Sequence, residues 1–299
     1  AAEDQTLTTS VTDEDGATGT IAYQWAQSST SQDSLGNDVV TVTDIVGATS
    51  STYTLGQSDV GYGIQLTVTF TDDLGTAETA TSVATSNATN VNDSPTGFVT
   101  ITGTAAEDQV LTVSNTLADE DGMGTVTYTW STGATGTTIT LGQSDVGTTI
   151  SVTASYTDAQ GTSESLASTA TSAVTNVNDA PIGSVVISGT AAEDQVLTAS
   201  DTLADEDGMG TIAYTWSTGA TGDTITLGQS DVGTAITVTA SYTDAQGTSE
   251  SVSSSATTAV ANVNDASVVT VTGTAAEDQT LTTSVTDEDG ATGTIAYQW

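Results

Sequence analysis

No lysine, arginine or histidine occurs among the 299 residues, against 38 aspartates and glutamates. The chain cannot neutralise itself through salt bridges, so its counter-charges come from solution. A polyanion of this kind repels nucleic acid and anionic membrane surfaces, and its acids either spread into water or share bound cations. Cysteine is absent too, which excludes disulfides and thiol chemistry. Without lysine there is no Lys–Asn isopeptide crosslink either. Aromatics make up only 5% of the residues, so a module of about 85 residues builds a modest core and needs a brace. A metal is the brace that remains. No run is long enough to cross a bilayer and no signal peptide is visible, so membrane insertion of this segment is not expected.

The chain repeats itself. The string GTAAEDQ ends at Gln109, Gln195 and Gln279, and AAEDQ also opens the chain at Ala1. Residues 275 to 299 repeat residues 1 to 25 without a change. Self-similarity at such a period marks an array of like modules, and the expectation is that the natural polypeptide continues the pattern beyond this window. Between repeats lie Asn90-Val91-Asn92-Asp93-Ser94-Pro95, Asn176-Val177-Asn178-Asp179-Ala180-Pro181 and Asn262-Val263-Asn264-Asp265-Ala266-Ser267. Ser267 stands where the other linkers have proline, and it is expected to loosen that joint.

Within each repeat the apolar residues alternate with period two, as in half-buried strands, and no helix is expected. In the second repeat Val99 and Ile101 lead. Leu111, Val113 and Leu117 follow, then Val126, Tyr128 and Trp130, then Ile139 and Leu141. Ile150, Val152, Ala154 and Tyr156 come next, and Leu166, Ala170 and Val174 close the module. Seven short strands with a tryptophan on the third describe an immunoglobulin-like sandwich. Trp25, Trp130 and Trp216 read as core. Threonine and serine fill the outward positions of a wet pleated surface. The expected fold class is all-β, a tandem array of Ig-like, cadherin-like sandwiches forming an extended rod. Its domains span residues 1–92, 93–178, 179–264 and 265–299; the first lacks its leading strand and the last is the first half of another copy. An insertion over residues 26–46 of the first domain, through Leu35, Val39, Val40 and Val42, reads as an extended hairpin that distinguishes it from the others.

Sandwich topology sorts the acidic turns between two poles, and the linkers join pole to pole. At the first joint this gathers Glu3, Asp4, Asn92, Asp93, Asp119, Asp121 and Asp158. At the second it gathers Glu107, Asp108, Asn178, Asp179, Asp205, Asp207 and Asp244, and at the third Glu193, Asp194, Asn264, Asp265, Asp287 and Asp289. Two carboxylates about 4 Å apart repel by roughly 1 kcal/mol in water and about 4 kcal/mol at a partly buried site. A shared cation reverses that sign. Calcium fits best, because it accepts six to eight hard oxygens in irregular geometry, whereas magnesium prefers a tight octahedron. Zinc has no Cys or His to bind. Asp-Glu-Asp-Gly alone is either an ion loop or a turn made for backbone reasons. Asp59, Asp145 and Asp231 read as fixing their own turns. Glu164 and Glu250 either supply a second site or face water, and Asn87-Ala88-Thr89 is a weak glycosylation hint.

The linker NVNDAP, the AAEDQ start and the run YTW…GATG…TLGQSDVG…ISVTASYTDAQGT resemble the tandem Ig-like or cadherin-like repeats of giant bacterial RTX-type surface adhesins, over the whole chain. The resemblance implies a secreted, cell-surface, calcium-rigidified extender that holds a terminal binding module away from the cell. The linker also resembles that of cadherins, which bridge successive domains through calcium.

Catalysis is not expected. There is no His, Cys or Lys, no phosphate loop and no basic group for an oxyanion, and the paired carboxylates recur at every joint as structural parts do. Two readings remain. In one the repeats are a passive stalk, with calcium and neighbouring repeats as their partners. In the other, copies of the chain associate into an extracellular filament or biofilm-matrix fibre, with the hairpin as the contact. A chain without Lys or Arg offers trypsin-like proteases no cleavage site on either reading.

Overall fold

The computed structural model describes residues 1–298 and is all-β; Trp299 lies outside the described residues. The chain divides into two compact units. One comprises Ala1–Leu141 with Gly147–Val174, and the other Gly142–Val146 with the chain from Thr175 onward.

In the first unit, Ala22–Gln32 lies between the strands Asp38–Asp44 and Gly63–Thr71, and Ala77–Thr81 completes a four-stranded antiparallel sheet. Thr6–Thr8 pairs with Thr52–Thr54 in a second sheet. Trp25, Leu55, Ile64, Leu66, Val68, Phe70 and Ala88 form the core between them. Alternation decides which side chains go inside: along Gly63–Thr71 the residues Ile64, Leu66, Val68 and Phe70 are buried while the residues between them are more open. The hairpin expected in residues 26–46 is present, with Ala26 opposite Asp44 and Gln32 opposite Asp38. Its turn is held by the Asp33 carboxylate, which accepts the Leu35 and Asn37 amides at 2.8 and 2.9 Å.

The same unit continues with a three-stranded sheet, Val110–Asn115 between Thr138–Thr140 and Val99–Thr102, and another with Val152–Thr157 between Ser163–Ala167 and Thr127–Trp130. The second unit repeats this plan. Val196–Asp201 lies between Val185–Ser188 and Thr224–Thr226, and Val238–Thr243 between Ala213–Trp216 and Ser249–Ser253. Its core includes Leu197, Trp216, Leu227, Ile236, Val238, Ala240 and Tyr242. A two-stranded sheet of Val268–Thr272 and Thr282–Thr286 ends the chain. Each core tryptophan donates its indole N–H to a backbone carbonyl, Trp25 to Ser50, Trp130 to Gly136 and Trp216 to Gly222, at 2.9 to 3.0 Å.

Three expectations need correction. The turns Gln57–Asp59, Gln143–Asp145 and Gln229–Asp231 are single turns of 3-10 helix. Leu117 lies beyond its strand, which ends at Asn115. The seventh strand is not a regular strand, and Ala170 is exposed on it. After Ala167 the chain bonds at every third residue instead: the amides of Ser168, Thr171 and Val174 donate to the carbonyls of Val152, Ile150 and Thr148. In return, the amides of Val152 and Ile150 donate to the hydroxyls of Ser168 and Thr171, at 3.1 and 3.0 Å. Side-chain hydroxyls thus stand in for ladder carbonyls. The spacing recurs as Ser82, Thr85 and Ala88 and as Ser254, Thr257 and Val260.

Candidate metal centre

The AAEDQ motif is a turn that drives one carboxylate inward. Asp4, Asp108 and Asp194 all adopt positive φ, at 64°, 58° and 57°, a left-handed conformation that aspartate tolerates better than most residues. The aspartates themselves are exposed. The preceding glutamates Glu3, Glu107 and Glu193 are buried to 1–3% exposure. The backbone fixes their place: the Glu3 amide donates to Thr89 O and the Glu193 amide to Ala261 O.

In the first unit the linker folds over Glu3. The Val91 amide donates to Glu3 Oε2 at 3.5 Å, and the Asp93 amide to Asp121 Oδ2 at 2.8 Å. Glu3, Asp93 and Asp121 each present a carboxylate oxygen to one space, the three oxygens lying within 4.8 Å of one another. Burial, with the charges of Asp93, Asp4 and Asp121, pushes the Glu3 carboxyl above its ordinary value, against the opposing pull of the Val91 amide. Burial and the charges of Asp121, Asp4 and Asp119 push Asp93 up. The second unit repeats the arrangement with Glu193, Asp265 and Glu288. There the Val263 amide donates to Glu193 Oε2 at 3.2 Å and the Asp265 amide to Asp289 Oδ2 at 2.8 Å. Burial and the charges of Asp265, Asp289 and Asp194 raise Glu193, again against a backbone bond that lowers it.

These groups repel one another, and their hydrogen bonds do not use every oxygen. Asp121 is 2% exposed, yet its Oδ1 meets no donor. Asp289 Oδ1, Asn90 Oδ1, Asp158 Oδ2 and Asp244 Oδ2 are likewise buried without a donor. A buried carboxylate oxygen without a partner costs several kcal/mol, on the order of the desolvation of a charge. Since the sequence holds no Lys, Arg or His, the partner comes from solution, as a cation or as water. The donors are hard oxygens throughout, so the groups fit a hard cation and not a soft one.

The remaining expected residues divide by what their atoms already do. Asp119 accepts the Asp121 amide on Oδ1 and the Tyr156 hydroxyl on Oδ2, and Asp205 does the same for Asp207 and Tyr242, so both brace the loop. Asp179 donates its amide to Asp207 Oδ2 at 2.8 Å. Asp158 and Asp244 use Oδ1 to accept two turn amides each, at 2.8 Å, and Oδ2 remains. Asp4, Asp108 and Asp194 serve the turn, and Asp4 and Asp194 add charge beside the buried glutamates. Asn92 and Asn178 are held by glutamates, their Nδ2 donating to Glu164 and Glu250 Oε1 at 2.8 and 2.9 Å. Those glutamates thereby tie the linker to the sixth-to-seventh loop side of the sandwich. In Asn264 the Nδ2 reaches Asp265 O at 3.0 Å. Sequence reasoning missed Glu288, which is exposed like its counterparts Glu120 and Glu206, and it missed the unpaired Asn90 oxygen. Asp59, Asp145 and Asp231 do cap their own turns, each Oδ2 accepting the amide three residues before it at 3.0 Å.

Similar chain paths occur among solved structures. A Ca2+-stabilised adhesin with which an Antarctic bacterium reaches out and binds ice is 20% identical over 89% of this chain and 71% of its own, with a TM-score of 0.28. A tetra-tandem repeat from the extending region of a large adhesion protein is 17% identical over 91% and 81%, with a TM-score of 0.27. Scores this low carry no weight for function. No family model matches the chain, and no curated protein matches it. Among the described residues no helix is long and apolar enough to cross a membrane, which leaves β-barrels unaddressed.

Proposed function

We propose that the chain is a structural extender of a secreted bacterial surface adhesin, built of sandwich domains that meet near residues 92, 178 and 264 and clamped at its joints by calcium. The observation that carries this reading is the unpaired, buried Oδ1 of Asp121 beside two further carboxylates in a chain without basic residues. Glu3 belongs to the turn of one sandwich, Asp93 to the linker and Asp121 to a loop of the next. An ion shared among them ties three sequence-distant segments, which restricts the hinge between modules. Calcium is favoured over magnesium because its longer, irregular shell accommodates carboxylates fixed by the backbone as well as an amide oxygen such as that of Asn90. On this reading the work of the arrangement is mechanical.

Calcium titration by calorimetry, with small-angle scattering of the calcium-free and calcium-loaded chain, tests the reading. Saturable binding with dissociation constants of about 10⁻³ M or tighter and a longer, stiffer particle on loading are expected. Flexibility that does not change with calcium would sink it.

A second reading, in which copies form a fibre through the hairpin, has one supporting observation. Asp38–Asp44 is the outer strand of its sheet, every residue of it is exposed, and Val39, Val40 and Val42 stand on it. An open strand edge with apolar residues is a template for pairing.

A further inference from the structure

Three of the four Asp-Glu-Asp-Gly loops, those opening at Asp119, Asp205 and Asp287, are braced by a hydroxyl on the first aspartate, and the source of that hydroxyl changes along the chain. Asp119 Oδ2 accepts from Tyr156 and Asp205 Oδ2 from Tyr242, both at 2.5 Å. These tyrosines sit on strands of the same sandwich as the loop. At the corresponding position the first repeat has Phe70, in the run Thr69-Phe70-Thr71-Asp72 that matches Ser155-Tyr156-Thr157-Asp158. Phenylalanine has no hydroxyl to give. The repeat that opens at Ala275 matches residues 1–25 of the first repeat over residues 275–299, a stretch that does not reach the Phe70 position, and the linker before it carries Ser267 in place of proline. Ser267 Oγ donates to Asp287 Oδ2 at 2.5 Å.

We infer that Ser267 is a positioning residue of the third joint: it supplies from the linker the hydroxyl that Tyr156 and Tyr242 supply from within their modules. The path from hydroxyl to unpaired carboxylate oxygen is the same at the first and third joints. The braced aspartate accepts the amide of the second aspartate on its other oxygen, Asp121 to Asp119 at 2.9 Å and Asp289 to Asp287 at 3.0 Å. The second aspartate thereby presents Oδ2 to the linker amide and leaves Oδ1 for a cation. Fixing the outer partner of a ligand tunes the ligand. At the third joint the brace also binds the linker directly, so serine tightens a junction that the missing proline was expected to loosen. The inference rests on the calcium reading for its effect on ion affinity, though not for the hydrogen bonds themselves.

Proline and hydroxyl predict opposite outcomes for one substitution. In the full 299-residue chain, Ser267→Pro restores the linker sequence of the other joints. If linker stiffness governs, the calcium midpoint read from the Asp265 amide by NMR moves to lower concentration. If the hydroxyl governs, it moves higher by about threefold, as does Ser267→Ala, while Ser267→Thr keeps the parent value and the Asp93 amide is unaffected by all three. Tyr156→Phe should act more strongly at the first joint, about tenfold, because its bond is partly buried whereas that of Ser267 is exposed. Amide exchange of Asp289 without calcium provides the second measurement: Ser267→Ala should accelerate it several-fold and leave Asp121 unchanged. A midpoint that falls or stays fixed in Ser267→Pro, or unaltered exchange of Asp289 in Ser267→Ala, overturns the inference. If calcium moves no joint amide in the parent chain, the calcium reading fails, and the exchange measurement still decides the role of Ser267.

Discussion

Two acidic turns of one repeat do opposite work. At Gln143–Asp145, Asp145 spends Oδ2 on the Gly142 amide and closes its own turn. At Asp119–Gly122, Asp121 is buried deeper, its Oδ2 is taken by the linker amide of Asp93, and its Oδ1 has no donor. Residue type does not separate them, since both are aspartates followed closely by glycine. What separates them is whether the local backbone satisfies the carboxylate. A turn aspartate is complete within its own repeat, whereas the joint aspartate is completed only by something from outside the chain.

Neutralising the two tests that difference hardest. Asp121→Asn should weaken calcium binding at the first joint on the order of a hundredfold. In calcium-free buffer it should stabilise the protein, because it removes one repelling charge and places an amide donor beside Glu3 and Asp93. Relief of even about 1 kcal/mol raises the melting temperature of a module of this size by about 4–8 °C. Asp145→Asn should do neither. It weakens a cap and lowers stability by about 1 kcal/mol with or without calcium. Calorimetric melts of both variants, each with and without calcium, give four signs to compare. A loss of stability on Asp121→Asn without calcium would return that residue to the ordinary turn formers.

The pH dependence sharpens the same contrast with a smaller effect. Glu3, Asp93 and Glu193 have raised carboxyl pKa values in the folded state, chiefly through burial and then through neighbouring charges. A raised acid means the folded state binds protons more tightly than the unfolded state. The penalty for ionising these groups is absent below their ordinary values of 4.5 for Glu and 3.8 for Asp, and complete above their folded values. Calcium-free protein should therefore gain stability as pH is lowered from neutrality toward about 4. Calcium-loaded protein should lose stability over the same range, because protons compete for the ligand oxygens. Melting temperatures against pH should converge or cross in the acid range; parallel curves would mean that no ion shares these oxygens.

How far this was legible in the sequence varies with the distance over which each feature acts. The strands were legible because burial follows a period of two, as in Ile150, Val152, Ala154 and Tyr156, all buried. The closing segment was not, because hydroxyls at Ser168 and Thr171 bond the neighbouring strand with a period of three, which alternation cannot detect. The acidic groups were legible as a set, since their recurrence at each linker singles them out. Their division of labour was not. That Asp119 braces while Asp121 is left with a free oxygen depends on Tyr156, 37 residues away, and the grip of Glu164 on Asn92 spans 72 residues. The left-handed turn at Asp4 explains afterwards why Glu and not Asp goes inside, and no spacing rule would have said so.

The smallest expected effect concerns the hairpin, and it bears on whether the repeats act singly. Antiparallel pairing of two Asp38–Asp44 edges centred on Thr41 sets Asp38 of each copy against Asp44 of the other, so both ends of the pairing carry two like charges. Like charges directly opposite are destabilising, and charged residues on an edge are a common guard against such pairing. The valines invite association while the flanking aspartates oppose it, on chains that each bear a formal net charge of −38. The single-stalk reading therefore predicts a monomer by sedimentation equilibrium, and weak dimers only when Asp38→Asn and Asp44→Asn are combined, at protein concentrations on the order of millimolar given the few tenths to 1 kcal/mol that each cross-strand pair contributes. Fibres formed by the unaltered chain in calcium, and lost on shortening the hairpin, would show that cations outweigh the guard at this edge and would favour the fibre reading over the single stalk.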